Sequence, residues 1–254
     1  MAVKISYLIS HFRGQFSKQS FDRSQSEWYY FLHIPKTAGT TFRHILYENF
    51  DQSEIYPNYY ELVIKQRSRY FSWKEFRGQT ETLFHNGKKL LIGHFGWRVI
   101  THNKEHPPRT LTFLRDPLSR VKSAIFYLQK RNRMYSGMSV DEIIDQYILR
   151  EGSLQARQLG HNPKRDNINQ AISNLESIEF IGISERFDQS LQLCNHTFNW
   201  ELRSIPKRNV GTYSTEAFSA QQIDKIREAC EIDYIIYNRG VELFEERLKQ
   251  MNSS

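Results

Sequence analysis

A chain of 254 residues with 39% hydrophobic and 14% aromatic content is long and apolar enough for one α/β domain with a substantial core, which argues against disorder of the whole chain. Its formal charge of +7 suits a polyanionic ligand and suits nucleic acid equally, so charge alone selects neither. Two cysteines, Cys194 and Cys230, lie far apart without ligand spacing, which argues against a disulfide framework or a zinc site and for a reducing compartment. The sequence has no apolar run of about 18 residues that would predict a membrane-spanning helix. Met1 to Ser10 is too short and polar-flanked to read as a signal peptide.

Residues 1–27 read as a loose N-terminal arm, polar from His11 to Glu27 and without a clear period, and residues 28–254 as a single domain. The apolar run Trp28 to Leu32 predicts a buried strand that ends by Pro35, which cannot donate to a ladder. From Thr41 the apolar residues Phe42, Ile45, Leu46 and Phe50 fall at helical spacing. The loop between them, Pro35-Lys-Thr-Ala-Gly-Thr-Thr41, combines small residues, hydroxyls and one lysine. Such a loop can turn the amides of Thr37, Ala38, Gly39, Thr40 and Thr41 toward an anion at the positive end of the helix. Gly39 is expected to let the backbone approach that anion, and Lys36 adds a full charge. The pattern differs from the nucleotide triphosphatase P-loop, whose lysine follows its glycines.

Residues 51–87 interleave tyrosines with Lys65, Arg67, Arg69, Trp73, Lys74 and Arg77, which suits a sugar or polyanion surface or, equally, a solvated helical region with a partly buried aromatic face. Lys89 to His94 predicts a second strand with Gly93 and Gly96 flanking His94, a tight exit where backbone or ligand comes close. A lone histidine there is more often structural than functional. His85, His102 and His106 lack that context and read as surface loop residues. Thr110 to Leu114 predicts a third strand, and Asp116-Pro117 the cap and first position of a helix that buries Val121, Ala124, Ile125 and Leu128. Ser119 and Ser123 share one face of that helix, and an arginine fork at Arg115 together with a hydroxyl such as that of Ser123 can grip a terminal phosphate. By itself Arg115 could equally pair with Asp116.

Ser139 to Arg150 reads as an amphipathic helix, and Gly152 to Leu159 as a capped helix end. His161 to Asn169 reads as a polar loop, and Ile178 to Ile183 as a fourth strand leading through Ser184-Glu-Arg-Phe187 into a helix with Leu191, Leu193 and Cys194. Ser204 to Gly211 is a basic loop. Ala220 to Lys249 is predicted helical, with Ile223, Ile226, Ile235, Val241, Phe244 and Leu248 turned inward. The order predicts an α/β fold, a doubly wound, mostly parallel sheet with helices on both faces and its ligands at the carboxyl ends of the strands.

The nine contiguous residues His33 to Thr41 closely resemble the 5′-phosphosulfate loop of carbohydrate-type sulfotransferases, which use 3′-phosphoadenosine 5′-phosphosulfate (PAPS). The nearest in pattern are the heparan and dermatan 2-O-sulfotransferases and their bacterial counterparts. Arg115 and Ser123, with seven residues between them after a strand, resemble the family's 3′-phosphate motif. The resemblance runs from about Trp28 to Leu248 and implies a P-loop-like sulfotransferase fold with PAPS as donor and no metal. It implies that His94, in the family's Gly-His position, is the general base, and that Lys36 neutralises charge on the oxygen leaving sulfur. It further implies that Gln155 and Arg157 lie on the acceptor side, and that Lys207 and Arg208 close over the adenosine and its 3′-phosphate. In the Gly-x-x-Glu-Arg-Phe segment, Arg186 is expected to be an internal partner. The implied acceptor is a hydroxyl on a saccharide or glycolipid rather than nucleic acid. Animal relatives carry a Golgi membrane anchor, and its lack here points to a cytoplasmic enzyme. Two other readings stay open: a kinase using ATP, and a non-catalytic basic module for nucleic acid or sulfated glycan.

Overall fold

A computed structural model of the chain describes residues 19, 21, 27–59, 73–78, 86–131, 135, 137–162, 164–203 and 218–253. The aromatic run after Trp28 forms β1 (Tyr29–Leu32), buried along its whole length, and α1 follows over Gly39–Asn49. A two-residue strand that the sequence pattern did not announce, β2 (Ile55–Tyr56), and a short helix, α2 (Trp73–Arg77), precede β3 (Leu90–Gly93). In α2, Phe76 is buried and Trp73 partly so, while Lys74 and Arg77 are exposed, the pattern of a solvated helix with an aromatic inner face. Next come α3 (Arg98–His102), β4 (Arg109–Leu114), α4 (Pro117–Arg131), α5 (Val140–Glu151), α6 (Leu154–Gln158) and α7 (Ile168–Glu176). The chain ends with β5 (Phe180–Ile183), α8 (Phe187–Phe198), α9 (Ala220–Ala229) and α10 (Glu231–Ser253).

All five strands are parallel, in the order β2-β3-β1-β4-β5, consistent with a doubly wound α/β fold. From β1 the chain passes to the edge strand β2, returns to β3 beside β1, and then crosses to β4 on the other side, so the winding reverses at β1. The carboxyl ends of β3, β1 and β4 therefore stand side by side. At about 4.8 Å between strands, the three exits lie within roughly 10 Å of one another.

An aromatic cluster seats α1 on the sheet. Phe42 lies 5.1 Å from Phe31 and 4.8 Å from Phe113, ring centre to ring centre, and Phe113 lies 5.6 Å from Phe180. Complete burial of a phenylalanine stabilises by roughly 1.5–3 kcal/mol, so Phe42 alone is a substantial anchor for the loop before it. A second core lies between α4, α5 and α9, where Val121, Ile125, Ile143, Ile144 and Ile226 are buried together.

Three features depart from the sequence reading. Gln19 and Phe21 are docked, whereas the arm over residues 1–27 was expected to be loose: Gln19 bridges Phe50, and Phe21 stacks on the Phe50 ring at 4.3 Å. The rest of that arm, apart from Glu27, lies outside the described residues. The helix expected over Ala220–Lys249 breaks at Cys230, because α9 packs on α5 while α10 packs on β5, α7 and α6. Within α10 the inward stripe is Ile236, Gly240, Leu243, Phe244 and Leu248. Ile235 is one residue off that stripe and is 45% exposed, not buried.

Candidate active site

The loop leaving β1 is held from inside. The Thr37 hydroxyl donates to the Ile34 carbonyl (2.9 Å), and its side chain is fully buried. On either side of it, Lys36 (φ 70°) and Ala38 (φ 63°) adopt the left-handed conformation, which is uncommon outside glycine and costs on the order of 1–3 kcal/mol per residue. This bend lets α1 start abruptly at Gly39. Ala38 is its N-cap and makes no side-chain cap, so the amides of Gly39, Thr40 and Thr41 have no intrahelical partner. The result is a turn of donors that make no helix bond, at the positive end of a helix with Lys36 beside it, a cradle that can take an anion.

Gly39 has a reason to be glycine besides the one expected. A Cβ there would lie 2.0 Å from Cδ2 and 2.1 Å from Nε2 of His33, so the missing side chain makes room for an imidazole. His33 is itself buried, stacked on Phe31 at 5.2 Å, and its ring centre is 4.3 Å from that of His94. His94 leaves β3 immediately alongside. Its Nδ1 is 2.5 Å from the His33 carbonyl oxygen, and because a carbonyl only accepts, Nδ1 carries the proton and Nε2 keeps the lone pair. Burial lowers both rings from the ordinary histidine value, His33 well below it; the bond to the His33 carbonyl works against this at His94, and the charge of Arg43 adds to it at both. The balance favours the neutral form of His94, the form a proton acceptor needs.

Arg43 stands one turn after Gly39 on the same face of α1, and its Nε is buried without a hydrogen-bond partner among the described residues. His33 and Arg43 were not among the residues singled out from the sequence. The i, i+4 spacing from Gly39 to Arg43 was the available signal, but only the packing shows which face meets the histidines.

The third exit brings the distant motif onto the first. Arg115 donates from Nη1 to the Lys36 carbonyl (3.2 Å) across 79 residues of sequence. Its Nε lies 3.7 Å from Glu185 rather than against Asp116, which instead caps α4 by accepting from the Ser119 amide (2.8 Å). Glu185 also accepts from the Asp116 amide (3.2 Å) and from the Tyr237 hydroxyl (3.4 Å), so it orients Arg115 from α10's side. The ammonium of Lys36 lies 4.4 Å from the ring centre of Tyr127, an exposed side chain one helical turn beyond buried Ser123. Burial, with the Arg115 charge adding to it, lowers the Lys36 pKa from its ordinary value. Lys36, Arg115 and the Ser123 face of α4 are therefore neighbours.

One expectation is revised. Gln155, expected on the acceptor side, is completely buried, and both ends of its amide are engaged by the backbone of Arg115. Arg157 is partly buried, and its charge acts on the interior carboxylate of Asp233. Arg186 pairs with Glu245 and lies over the Phe244 ring, an internal partner as expected. Exposed His102 sits on α3, edge-on to Trp73, and exposed His106 accepts at its carbonyl from the Trp28 indole. Lys207, Arg208 and His85 lie outside the described residues. A cavity of about 290 Å³ lined by Phe21, Tyr29, Arg109 and Trp200 opens where β1 and β4 begin, at the opposite end of the sheet from these loops. No helix of the described residues is long and apolar enough to cross a membrane. No protein-family model matches this chain, and no curated protein matches it significantly.

Proposed function

We propose that the chain transfers a sulfuryl group from PAPS to an acceptor hydroxyl on a saccharide or glycolipid, using a sulfotransferase-type α/β fold. The observation that carries this reading is the meeting of Arg115 with the Lys36 carbonyl, while the Lys36 ammonium lies over the ring of Tyr127, one turn beyond Ser123. A 5′-phosphate loop and a 3′-phosphate grip are useful together only when they face one crevice. The residues also suit the donor chemically: an uncapped helix start with a lysine for one phosphate, and a half-exposed arginine fork for another.

The donor, when bound, supplies the sulfuryl group and leaves as adenosine 3′,5′-bisphosphate. The amides of Thr37 to Thr41, with the hydroxyls of Thr40 and Thr41, would hold its 5′-phosphate, and Arg115 with Ser123 its 3′-phosphate. His94 Nε2 would take the acceptor proton as the hydroxyl oxygen bonds to sulfur and the bond from sulfur to the phosphate oxygen breaks. The Lys36 ammonium would offset the charge that builds on that oxygen. Little covalent chemistry falls to the protein, so positioning and electrostatics are expected to supply the rate.

Calorimetric titration tests the site. Adenosine 3′,5′-bisphosphate is expected to bind more tightly than ATP. Arg115→Ala is expected to weaken the bisphosphate by about 1.5–3 kcal/mol, the range for a charged hydrogen bond, and adenosine 5′-phosphate far less. Preference for ATP, or equal losses for the two adenosine nucleotides, would refute the assignment. Sulfate transfer from PAPS to a panel of saccharides and glycolipids, read by mass spectrometry, separates an enzyme from a binding module.

A further inference from the structure

Gln155 makes an unusual pair of bonds. Its Oε1 accepts from the Arg115 amide (3.0 Å), and its Nε2 donates to the Arg115 carbonyl (2.9 Å), so one side-chain amide grips both polar groups of one residue, as a neighbouring strand would. Arg115 is the first residue beyond β4, where strand pairing has ended. Gln155 is in turn fixed from behind. Its own amide and that of Ala156 donate to the two oxygens of the Asp233 carboxylate (3.0 and 2.9 Å), which is fully buried on α10.

The other end of the same five-residue helix reaches the histidine loop. The carbonyl of Gln158 accepts from the Trp97 amide (2.8 Å), three residues after His94. A Cβ on Gly96 would lie 2.8 Å from that same carbonyl oxygen, and Gly96 has φ +64°, so the contact leaves no space for another residue. The Tyr30 hydroxyl holds the Gly96 carbonyl from the β1 side (3.2 Å). Helix α6 therefore spans from the exit of β4 to the exit of β3.

We propose that α6 is an internal brace and that Gln155 is a positioning residue of the site: anchored by Asp233, it sets the Arg115 backbone so that the guanidinium meets the Lys36 carbonyl at the mouth of the cradle. This role rests on the nucleotide reading of Arg115 given above. Gln155 touches no ligand and acts only through Arg115. Its effect on binding is therefore confined to the phosphate that Arg115 holds, whereas a residue of general packing would affect every ligand alike.

The experiment pairs amide hydrogen exchange at Arg115 with titration of adenosine 3′,5′-bisphosphate and adenosine 5′-phosphate. Wild type is compared with Gln155→Met, Gln155→Glu, Arg115→Ala and the Gln155→Met/Arg115→Ala double variant. Gln155→Met, which keeps the shape and removes both bonds, is expected to weaken the bisphosphate on the order of tenfold and to leave the 5′-phosphate nucleotide within about twofold. Gln155→Glu, which keeps an acceptor for the Arg115 amide, falls between. In the Arg115→Ala background the Gln155 effect disappears. Losses that are equal for both nucleotides, or that persist without the Arg115 guanidinium, overturn the proposal. The Arg115 amide is expected to exchange slowly in wild type and quickly in Gln155→Met. Fast exchange in wild type overturns the clamp even if a variant fails to fold. Wild-type protein that binds neither nucleotide overturns the reading of the site, and the exchange rates then decide the clamp by themselves.

Discussion

His94 donates from Nδ1 to the His33 carbonyl, and this one contact sets its chemistry by leaving Nε2 as the basic atom. Burial and the Arg43 charge lower its pKa, so the neutral form persists to more acid conditions than for a free histidine. The acid limb of transfer is therefore expected to be centred below pH ~6.5, where an ordinary imidazole would be half protonated. A single-turnover pH profile with saturating donor checks this; an acid limb centred above pH ~6.5 would contradict the assigned environment. His94→Ala is expected to slow transfer roughly 10²–10⁴-fold with nucleotide affinity nearly unchanged, and a loss under about threefold would remove it from the mechanism. His94 could be singled out as a candidate from its glycine-flanked place after a strand together with the family resemblance. Its proton, its imidazole neighbour and Arg43 were not, because they are set by contacts between β1, β3 and α1.

Helix α1 depends on a tight entry. Gly39 lies against the His33 ring with no space for a methyl group, and the helix is seated by Phe42, Ile45 and Leu46. Gly39→Ala is expected to destabilise the protein by about 1–3 kcal/mol through overpacking, although alanine is the better helix former. Urea denaturation of Gly39→Ala, His33→Ser and the double variant checks the cause. The smaller residue at position 33 is expected to recover much of the loss, and purely additive variants would show that His33 is not what Gly39 makes room for. At this scale the sequence was informative wherever periodicity was strong, as in β1, β3, β4 and the inner face of α4. It was weaker where an element owes its existence to partners: two-residue β2 pairs with β3, and five-residue α6 is pinned at both ends.

Across the molecule, buried charge ties the helical layer to the site. Arg120, fully buried on α4, donates from Nη1 to Glu151 Oε2 (3.1 Å) and from Nη2 to the Glu151 carbonyl, and its Nε lies 3.8 Å from Asp233. Burial pushes the Asp233 carboxyl up to about 6, against the pull of Arg120 and of the two α6 amides. Arg120→Met would leave two interior carboxylates without this counter-charge and is expected to cost roughly 3–5 kcal/mol. The sign with pH follows from Asp233. Its folded pKa is raised, so its contribution to stability is complete below an unfolded value near ~3.9 and is lost as pH rises through the folded value. Without Arg120 the folded value climbs further, so the deficit of Arg120→Met is expected to be larger at pH ~8 than at pH ~5. Equal deficits in urea titrations at the two pH values would show that Asp233 does not feel Arg120.

The sequence by itself determined the class of the fold and the location of its candidate site. A strand run, a lysine-first loop and a helical period are local patterns, and side chains one to four residues apart express them without help from the rest of the chain. The separate motifs at Lys36, His94 and Arg115 could be found in that way. Tertiary structure decided how they meet. The reversal of winding at β1 sets three strand exits side by side, which joins Arg115 to the Lys36 carbonyl and His94 to that of His33. It also gave Gln155 a structural partner in place of a ligand. Side-chain amides bind backbone, ligand or water equally well, and only the burial produced by packing against α10 selects among them.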